Sequence, residues 1–392
     1  MRPFARAALT ATALLVAAGP TRAQTNDHLF RSWSFSLEPL SPRTAAVAGA
    51  MDASADDAIA AARNPAALST LHKSEVLTAA GFRTSTAGPL GDTRASRLGL
   101  AFAGGTRRLS RRLTAGAYVA QPHSMRLSLG MTELPDGLHD EGSIDTAVTE
   151  AGVALACPVG PKLHVGGRLA VRHLSLQGQY SRGAGPGSTD LRVGTSADTA
   201  AAGGAAGLLW LPWPSLRAGL VAETGRGWRV RRNATSPPLG VVLDPGSSYE
   251  LKPPSRLSAG LSWRPSRTLT VFGQVDRIKL AEIQARLAIA QGAYARTEYD
   301  LDDAWEAAFG TEISVAFRQV SFQLRAGARR RAPDTLRYTG TDAVAHAAFA
   351  GSRRRTSFAA GAGVFLRRGL HADVSVTSGE GTTVLAGAGL QF

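Results

Sequence analysis

From about residue 73 to the end, this chain alternates apolar and polar residues with period two, and that periodicity constrains its fold more than any other feature. In 369–378, Leu370, Ala372, Val374 and Val376 share one face, while His371, Asp373, Ser375 and Thr377 share the other. In 303–316, Trp305, Ala307, Phe309, Ile313 and Val315 oppose Glu306, Glu312 and Ser314. In 321–329, Phe322, Leu324, Ala326 and Ala328 oppose Gln323, Arg325, Gly327 and Arg329, and in 256–263, Leu257, Ala259, Leu261 and Trp263 oppose Arg256, Ser258, Gly260 and Ser262. Successive side chains of a strand point to opposite faces, so each segment reads as a strand with one apolar face. Alternation alone leaves open whether that face meets a protein core or lipid.

The connections between strands bear on that choice. Fourteen segments read as strands: 74–84, 94–104, 113–121, 146–158, 162–180, 199–211, 215–232, 255–264, 267–280, 303–316, 319–331, 355–366, 369–378 and 382–392. After every even-numbered strand up to the twelfth the link is short: 105–112, 159–161, 212–214, 265–266, 317–318 and 367–368. Most links at the other end are long and polar: 122–145, 181–198, 233–254, 281–302 and 332–354. Two links at that end, 85–93 and 379–381, are short. Short turns at one end and long loops at the other are the pattern of an outer-membrane barrel. The last ten residues, TVLAGAGLQF, place Val384, Ala386, Ala388, Leu390 and Phe392 on one face. An aromatic-terminated strand of this kind resembles the signal read by bacterial barrel-assembly machinery. The expected fold is an all-β transmembrane barrel of about 14 antiparallel strands, closed because an open edge in lipid would strand backbone polar groups.

Residues 1–23 read as a secretory signal: Arg2 and Arg6, then the apolar run Ala7–Ala18, then Thr21-Arg22-Ala23 before Gln24. That run is too short for a spanning helix, and no later segment has 18 continuous apolar residues. The lone cysteine, Cys157, excludes an internal disulfide and a Cys-rich metal site; it reads as a small apolar strand residue. The net charge of +14 can signal nucleic acid, but an exported chain meets anionic lipid head groups, lipopolysaccharide phosphates or acidic ligands instead. Abundant glycine, 43 residues, fits closely packed strands around a lumen.

The segment before the strands differs in kind. Residues 42–71, PRTAAVAGAMDASADDAIAAARNPAALSTL, are alanine-rich and helix-prone. Pro65 disfavours the α region at Asn64, so a helix over 58–63 is expected to stop there. This stretch resembles the opening of the FadL-type outer-membrane transporter family, which includes the shuttle proteins of type IX secretion. The resemblance rests on Gly49-Ala50, Asp56-Asp57, Asn64-Pro65-Ala66 and Leu68, at matching spacing; Ala67 stands where the family usually has glycine. Weaker likenesses follow at 321–335, with Arg325-Ala326-Gly327 and Pro333-Asp334, and at 357–366. The resemblance implies a plug, or hatch, inside a 14-stranded barrel. It also implies passive uptake of hydrophobic small molecules such as long-chain fatty acids, with a luminal pocket and exit through a gap in the wall. The expected organisation is a signal at 1–23, a hatch at 24–72 and an outer-membrane barrel at 73–392.

The residues offer no catalytic constellation: no nucleophile elbow, no His-Glu-x-x-His, and no phosphate loop followed by lysine. The glycine-rich 183–187 reads as a loop, and His164, His173 and His371 are scattered. Ser375 and His371 share a face but stand roughly 13 Å apart by strand rise, too far to act together. No metal and no cofactor is expected. Lumen candidates are Arg168, Arg256 and Arg325 with Glu306 and Glu312. They either hold a ligand carboxylate or pair with one another and hold the plug. Asp56 and Asp57 either dock the hatch on wall arginines or cap the helix that follows. The apolar set Met125, Leu127, Leu129, Met131 and Leu134 either captures ligand or packs over the barrel mouth. Expected partners are a hydrophobic ligand, membrane lipids and the assembly machinery, with the chain a monomer. Two other functions fit the same fold: a shuttle with a stable protein partner, and a general porin with open-pore conductance.

Overall fold

The period-two segments form one closed antiparallel sheet in the computed structural model, which describes residues 30–35, 38–54, 56–83, 93–95, 98–133, 137–185, 189–284, 298–379 and 381–392. In chain order the strands are β1 (Glu75–Arg83), β2 (Thr93–Ala95), β3 (Gly99–Arg108), β4 (Thr114–Glu133), β5 (His139–Pro158), β6 (Leu163–Gly183) and β7 (Leu191–Trp213). They continue as β8 (Leu216–Gly225), β9 (Trp228–Ser236), β10 (Val241–Leu251), β11 (Arg256–Trp263), β12 (Leu269–Ile278), β13 (Tyr299–Asp300) and β14 (Ala304–Phe317). The last five are β15 (Val320–Arg331), β16 (Arg337–Tyr338), β17 (Arg355–Leu366), β18 (Leu370–Ser378) and β19 (Thr382–Gln391). The wall runs β1, β3 to β8, β11, β12, β14, β15, β17, β18 and β19, fourteen strands in all, and β19 pairs back onto β1 from Glu75↔Gln391 to Arg83↔Thr383. Closure removes both edges, which hydrocarbon requires.

The apolar faces point outward. Leu169, Trp305, Phe309, Leu324, Phe358 and Val374 are all exposed, while Arg168, Glu312, Arg325 and Ser375 on the opposite parity are buried. An exposed apolar band over a polar interior is the inverse of a soluble core and fits lipid. No helix among the described residues is long and apolar enough to cross a membrane.

Three expected loops are corrected. Most of 122–145, 181–198 and 233–254 is strand: β4 and β5 leave only 134–138 between them, and β9 and β10 form a hairpin. These stretches continue the wall beyond the apolar band. The expected strand 215–232 is also broken, between β8 and β9. The parity reverses in the extensions. In β4 the ladder to β5 shifts between Ala120 and His123, beside Pro122, which has no N–H to donate. Tyr118 and Ala120 point in before the shift, and His123, Met125, Leu127 and Leu129 point in after it. In β6 the residue types change with no such shift. Leu169 and Val171 face out below His173, and Ser175, Gln177 and Gln179 face out above it. Inside, Arg168 and Arg172 give way to Leu174, Leu176 and Tyr180. The barrel is therefore polar inside within the band and apolar inside beyond it. Polarity without clear loop chemistry made these stretches read as loops.

The apolar upper chamber also contains Phe30, Trp33 and Phe35, with Trp228, Leu251, Leu280, Tyr299 and Phe349 around them. Met125, Leu127 and Leu129 belong to it. The side chain of Met131, and Leu134 altogether, lie outside the described residues. So do the signal segment 1–23, most of 85–93 and part of both 183–187 and 281–302.

Candidate functional site

Residues 38–54 and 56–71 lie inside the barrel, and their local order follows from capping. Ser41 accepts from the Thr44 N–H at 3.2 Å and starts the helix Pro42–Ala46, with Pro42 at its first position. The chain turns out of it through Ala48 and Gly49, both at positive φ. Asp57 caps a 3₁₀ turn at Ala58–Ala61, accepting from Ile59 N–H at 3.0 Å, and Asn64 caps a second at Pro65–Thr70, accepting from Ala66 N–H at 3.1 Å. The expected helix over 58–63 is thus a shorter 3₁₀ turn. Its end before Asn64 agrees with the restriction that Pro65 imposes. Ala67 sits inside the second turn and is not among the residues at positive φ, so glycine is not needed there.

Wall glycines let this segment approach the strands. A Cβ at Gly327 would lie 2.6 Å from the Val47 carbonyl carbon, and one at Gly310 2.6 Å from Val47 Cβ. Gly166 and Gly207 take the backbone and side chain of Asn64-Pro65-Ala66 in the same way, and Gly219 and Gly260 take Asp52-Ala53. Inward glycine is what allows backbone to lie against the wall here.

A belt of ion pairs joins the segment to the barrel. Arg43 donates to both oxygens of Glu312, Nε–Oε2 3.1 Å and Nη2–Oε1 3.4 Å, and also meets Asp56 and Asp57. Asp52 is fully buried. It accepts from Arg63 Nε at 3.2 Å, Arg256 Nη2 at 2.6 Å and Ser258 Oγ at 2.6 Å. Its N–H donates to Gln274 Oε1 at 3.1 Å. Asp276 bridges Arg256 and Arg329, each at 2.9 Å, and Arg329 reaches Glu306 at 2.6 Å. Arg325 lies 2.7 Å from Glu312 and also pairs with Asp373. Across the lumen, Arg168 meets Glu223 at 2.8 Å and the Ala62 carbonyl, while Arg172 binds both Glu150 and Glu223. Buried charges are tolerated only when paired in this way.

Burial pushes the Asp57 carboxyl up to about 6, and repulsion from Asp56 and Asp373 adds to this against the pull of Arg43 and the Ile59 N–H. Burial also acts to raise Asp56, but Arg43 outweighs it, with help from Arg217 and Arg264, and holds that carboxyl below its ordinary value. Asp57 caps its turn through the Ile59 N–H and lies 3.6 Å from Arg43, which also pairs with Asp56.

Above the belt lie three cavities that share lining residues. The outermost is bordered by Arg329, Arg331, Arg353 and Arg355 with Asp334, against Ala45 and Ala48. The next shares Arg329, Arg331 and Asp334 and adds Phe35, Arg256, Ile278, Leu280 and Glu306. The third shares Phe35, Arg63 and Arg256 and reaches Pro122, Val148, Arg168 and Trp228. The row ends beside two wall irregularities, the β4 shift at Pro122 and the 252–255 break between β10 and β11.

All five lumen candidates from the sequence are inward and charge-paired. Arg168, Arg256 and Glu306 also border cavities, and Glu312 and Arg325 lie deeper, with Arg43. Gly49, Asp56, Asp57, Asn64, Pro65 and Ala66 lie together in the lumen. His371 and Ser375 are inward and buried; His164 Nδ1 meets Ser69 Oγ at 2.7 Å, and His173 pairs outside with Asp198. Sequence reasoning passed over Asp52, Arg43, Arg63, Glu150, Arg172, Glu223 and Asp276. Strand parity was the available signal for the wall residues; none existed for Asp52, whose wall partners Arg256 and Ser258 lie more than 200 positions away. The aromatic trio Phe30, Trp33 and Phe35 was missed as well.

No family model and no curated protein matches this chain. Its architecture is similar to a FadL homologue from Pseudomonas aeruginosa (TM-score 0.65, 13% identity, 91% of this chain and 98% of the other). It is similar to the toluene transporter TbuX of Ralstonia pickettii (0.67, 14%, 91% and 99%). It is also similar to the toluene transporter TodX of P. putida (0.65, 13%, 91% and 99%). The chain has the FadL-type fold, a closed barrel of fourteen antiparallel strands.

Proposed function

We propose that this protein is an outer-membrane channel for the passive uptake of hydrophobic small molecules. The signal at 1–23 exports it, the assembly machinery inserts the barrel at 73–392 as a monomer, and residues 24–72 act as its hatch. The observation that carries the reading is the row of cavities over the ion-pair belt, arginine-rich at the mouth and lined further in by Phe35, Ile278, Leu280 and Trp228. An amphiphile with one carboxylate, such as a long-chain fatty acid, fits such a row, with its head at Arg331 and Arg353 and its chain toward the apolar chamber. Arg168, Arg256 and Glu306 border the route, Arg168, Arg256 and Glu312 hold the hatch in place, and Arg325 braces Glu312. Chemistry is not required of them, so the function is transport and not catalysis.

The test is ligand retention in mild detergent, read by mass spectrometry, with oleate and toluene supplied in parallel. Arg331→Gln lowers oleate retention and leaves toluene unchanged. Loss of neither would sink the fatty-acid assignment, and retention of neither ligand by the unaltered protein would sink uptake itself. Deleting residues 24–71 raises conductance in planar bilayers; unchanged conductance would remove the hatch from this account.

A further inference from the structure

The end of the barrel opposite the chamber carries one sign of charge. The six short turns that close it follow β3, β5, β7, β11, β14 and β17. The end of β3 and its turn hold Arg107, Arg108, Arg111 and Arg112, all exposed. Lys162 stands in the second turn, Arg264 and Arg267 in the fourth, Arg318 in the fifth, and Arg367 and Arg368 in the sixth, again all exposed. None of the six turns contains Asp or Glu. The opposite end is mixed, with Glu298, Asp300, Asp302 and Asp303 close to Arg277 and Arg337. Ten of the chain's cations thus stand at this one rim, with no acidic residue in its turns.

We propose that this rim binds the phosphate groups of anionic phospholipids in the leaflet that surrounds the short-turn end. Two observations favour lipid over an acidic protein. The cations are spread around the circumference in five of the six turns, which matches an annulus and not a docked partner on one sector. They also begin one residue beyond exposed apolar anchors: Trp263 before Arg264, Phe317 before Arg318, Leu366 before Arg367, and Leu113 after Arg112. The Arg318 guanidinium lies 5.4 Å from the Phe317 ring centre. Aromatic and apolar side chains mark the hydrocarbon boundary, so the cations stand at phosphate height. Arginine there donates in pairs to phosphate oxygens.

The test places the full mature protein in vesicles of equal phosphatidylethanolamine and phosphatidylglycerol, extracts it gently, and weighs the retained lipid by native mass spectrometry. The expected result is enrichment of phosphatidylglycerol by about tenfold, abolished in about 0.5 M salt. The variant R111Q/R112Q/R367Q/R368Q brings the retained mixture toward the bulk ratio, while Arg277→Gln at the other end changes nothing. Cold and heated gel mobility shows whether each variant still forms the barrel. Retention at the bulk ratio by the unaltered protein overturns the proposal. So does equal enrichment in the folded quadruple variant, or tighter binding of a polyglutamate peptide in purely zwitterionic vesicles than of phosphatidylglycerol.

Discussion

Replacing Asp52 by Asn tests the belt most sharply, because the change keeps size and shape and removes one charge. Asp52 holds two guanidinium groups, Arg63 at 3.2 Å and Arg256 at 2.6 Å, and a hydroxyl, Ser258 at 2.6 Å. Charge-assisted bonds contribute about 1.5–3 kcal/mol each and neutral ones about 0.5–1.5, so two conversions lose about 1–1.5 kcal/mol apiece. Arg256 keeps Asp276, at 2.9 Å. Arg63 keeps only neutral acceptors, the asparagine amide oxygen and the Gly49 carbonyl at 3.3 Å, and a buried cation stripped of its carboxylate adds to the loss. The sum is about 3 kcal/mol of hatch docking, or about 150-fold in the population of the undocked segment. Hydrogen–deuterium exchange at amides 42–71 reads this directly, with β14 to β19 as internal reference. Ser258→Ala, which removes one hydroxyl donor and leaves both guanidinium pairs of Asp52 in place, gives a smaller change. If exchange at 42–71 stays within threefold of the unaltered protein while the reference strands are also unchanged, the belt does not hold the hatch.

Three further outcomes follow from the same geometry. Asp57 has its carboxyl raised to about 6, so between about pH 4 and pH 6 the docked segment binds a proton that the undocked one releases. Docking therefore weakens as pH rises through that window; Asp57→Asn keeps the cap, removes the slope and protects amides 58–63 at pH 7 but not at pH 4, and a slope that persists in the variant refutes the assignment. On the outer face of β6, Leu169→Arg costs about 2–4 kcal/mol of folding into bilayers whereas Gln177→Arg, about 26 Å further along, costs close to nothing. Equal costs in urea titrations would place the lipid boundary elsewhere. Trp33→Ala removes the indole that donates to Thr146 Oγ1 at 3.3 Å and about 3–5 kcal/mol of packing, so a hydrophobic reporter dye binds more tightly in the vacated chamber. Unchanged dye affinity would show that residues 30–35 do not occupy the ligand's space.

The sequence by itself determined the barrel. Period-two alternation in β11, β14, β15 and β18 put Trp263, Phe309, Leu324 and Val374 on one parity, and the six short turns set which strands are neighbours. These signals are local: each strand shows its faces within a few residues, and each turn joins adjacent strands. It also marked Asn64-Pro65 as the end of the preceding helical turn and offered capping as one of two roles for Asp57, because such signals depend on two or three consecutive residues. Tertiary structure alone decided the rest. Whether an inward arginine meets a ligand or a carboxylate depends on groups far away in the chain, as Arg256 depends on Asp52 and Arg43 on Glu312. The parity reversal that builds the apolar chamber arises from one extra residue beside Pro122 and from a change of residue type along β6, neither of which names its own face. Periodicity tells which residues point the same way; only closure of the sheet around residues 30–71 tells what they point at.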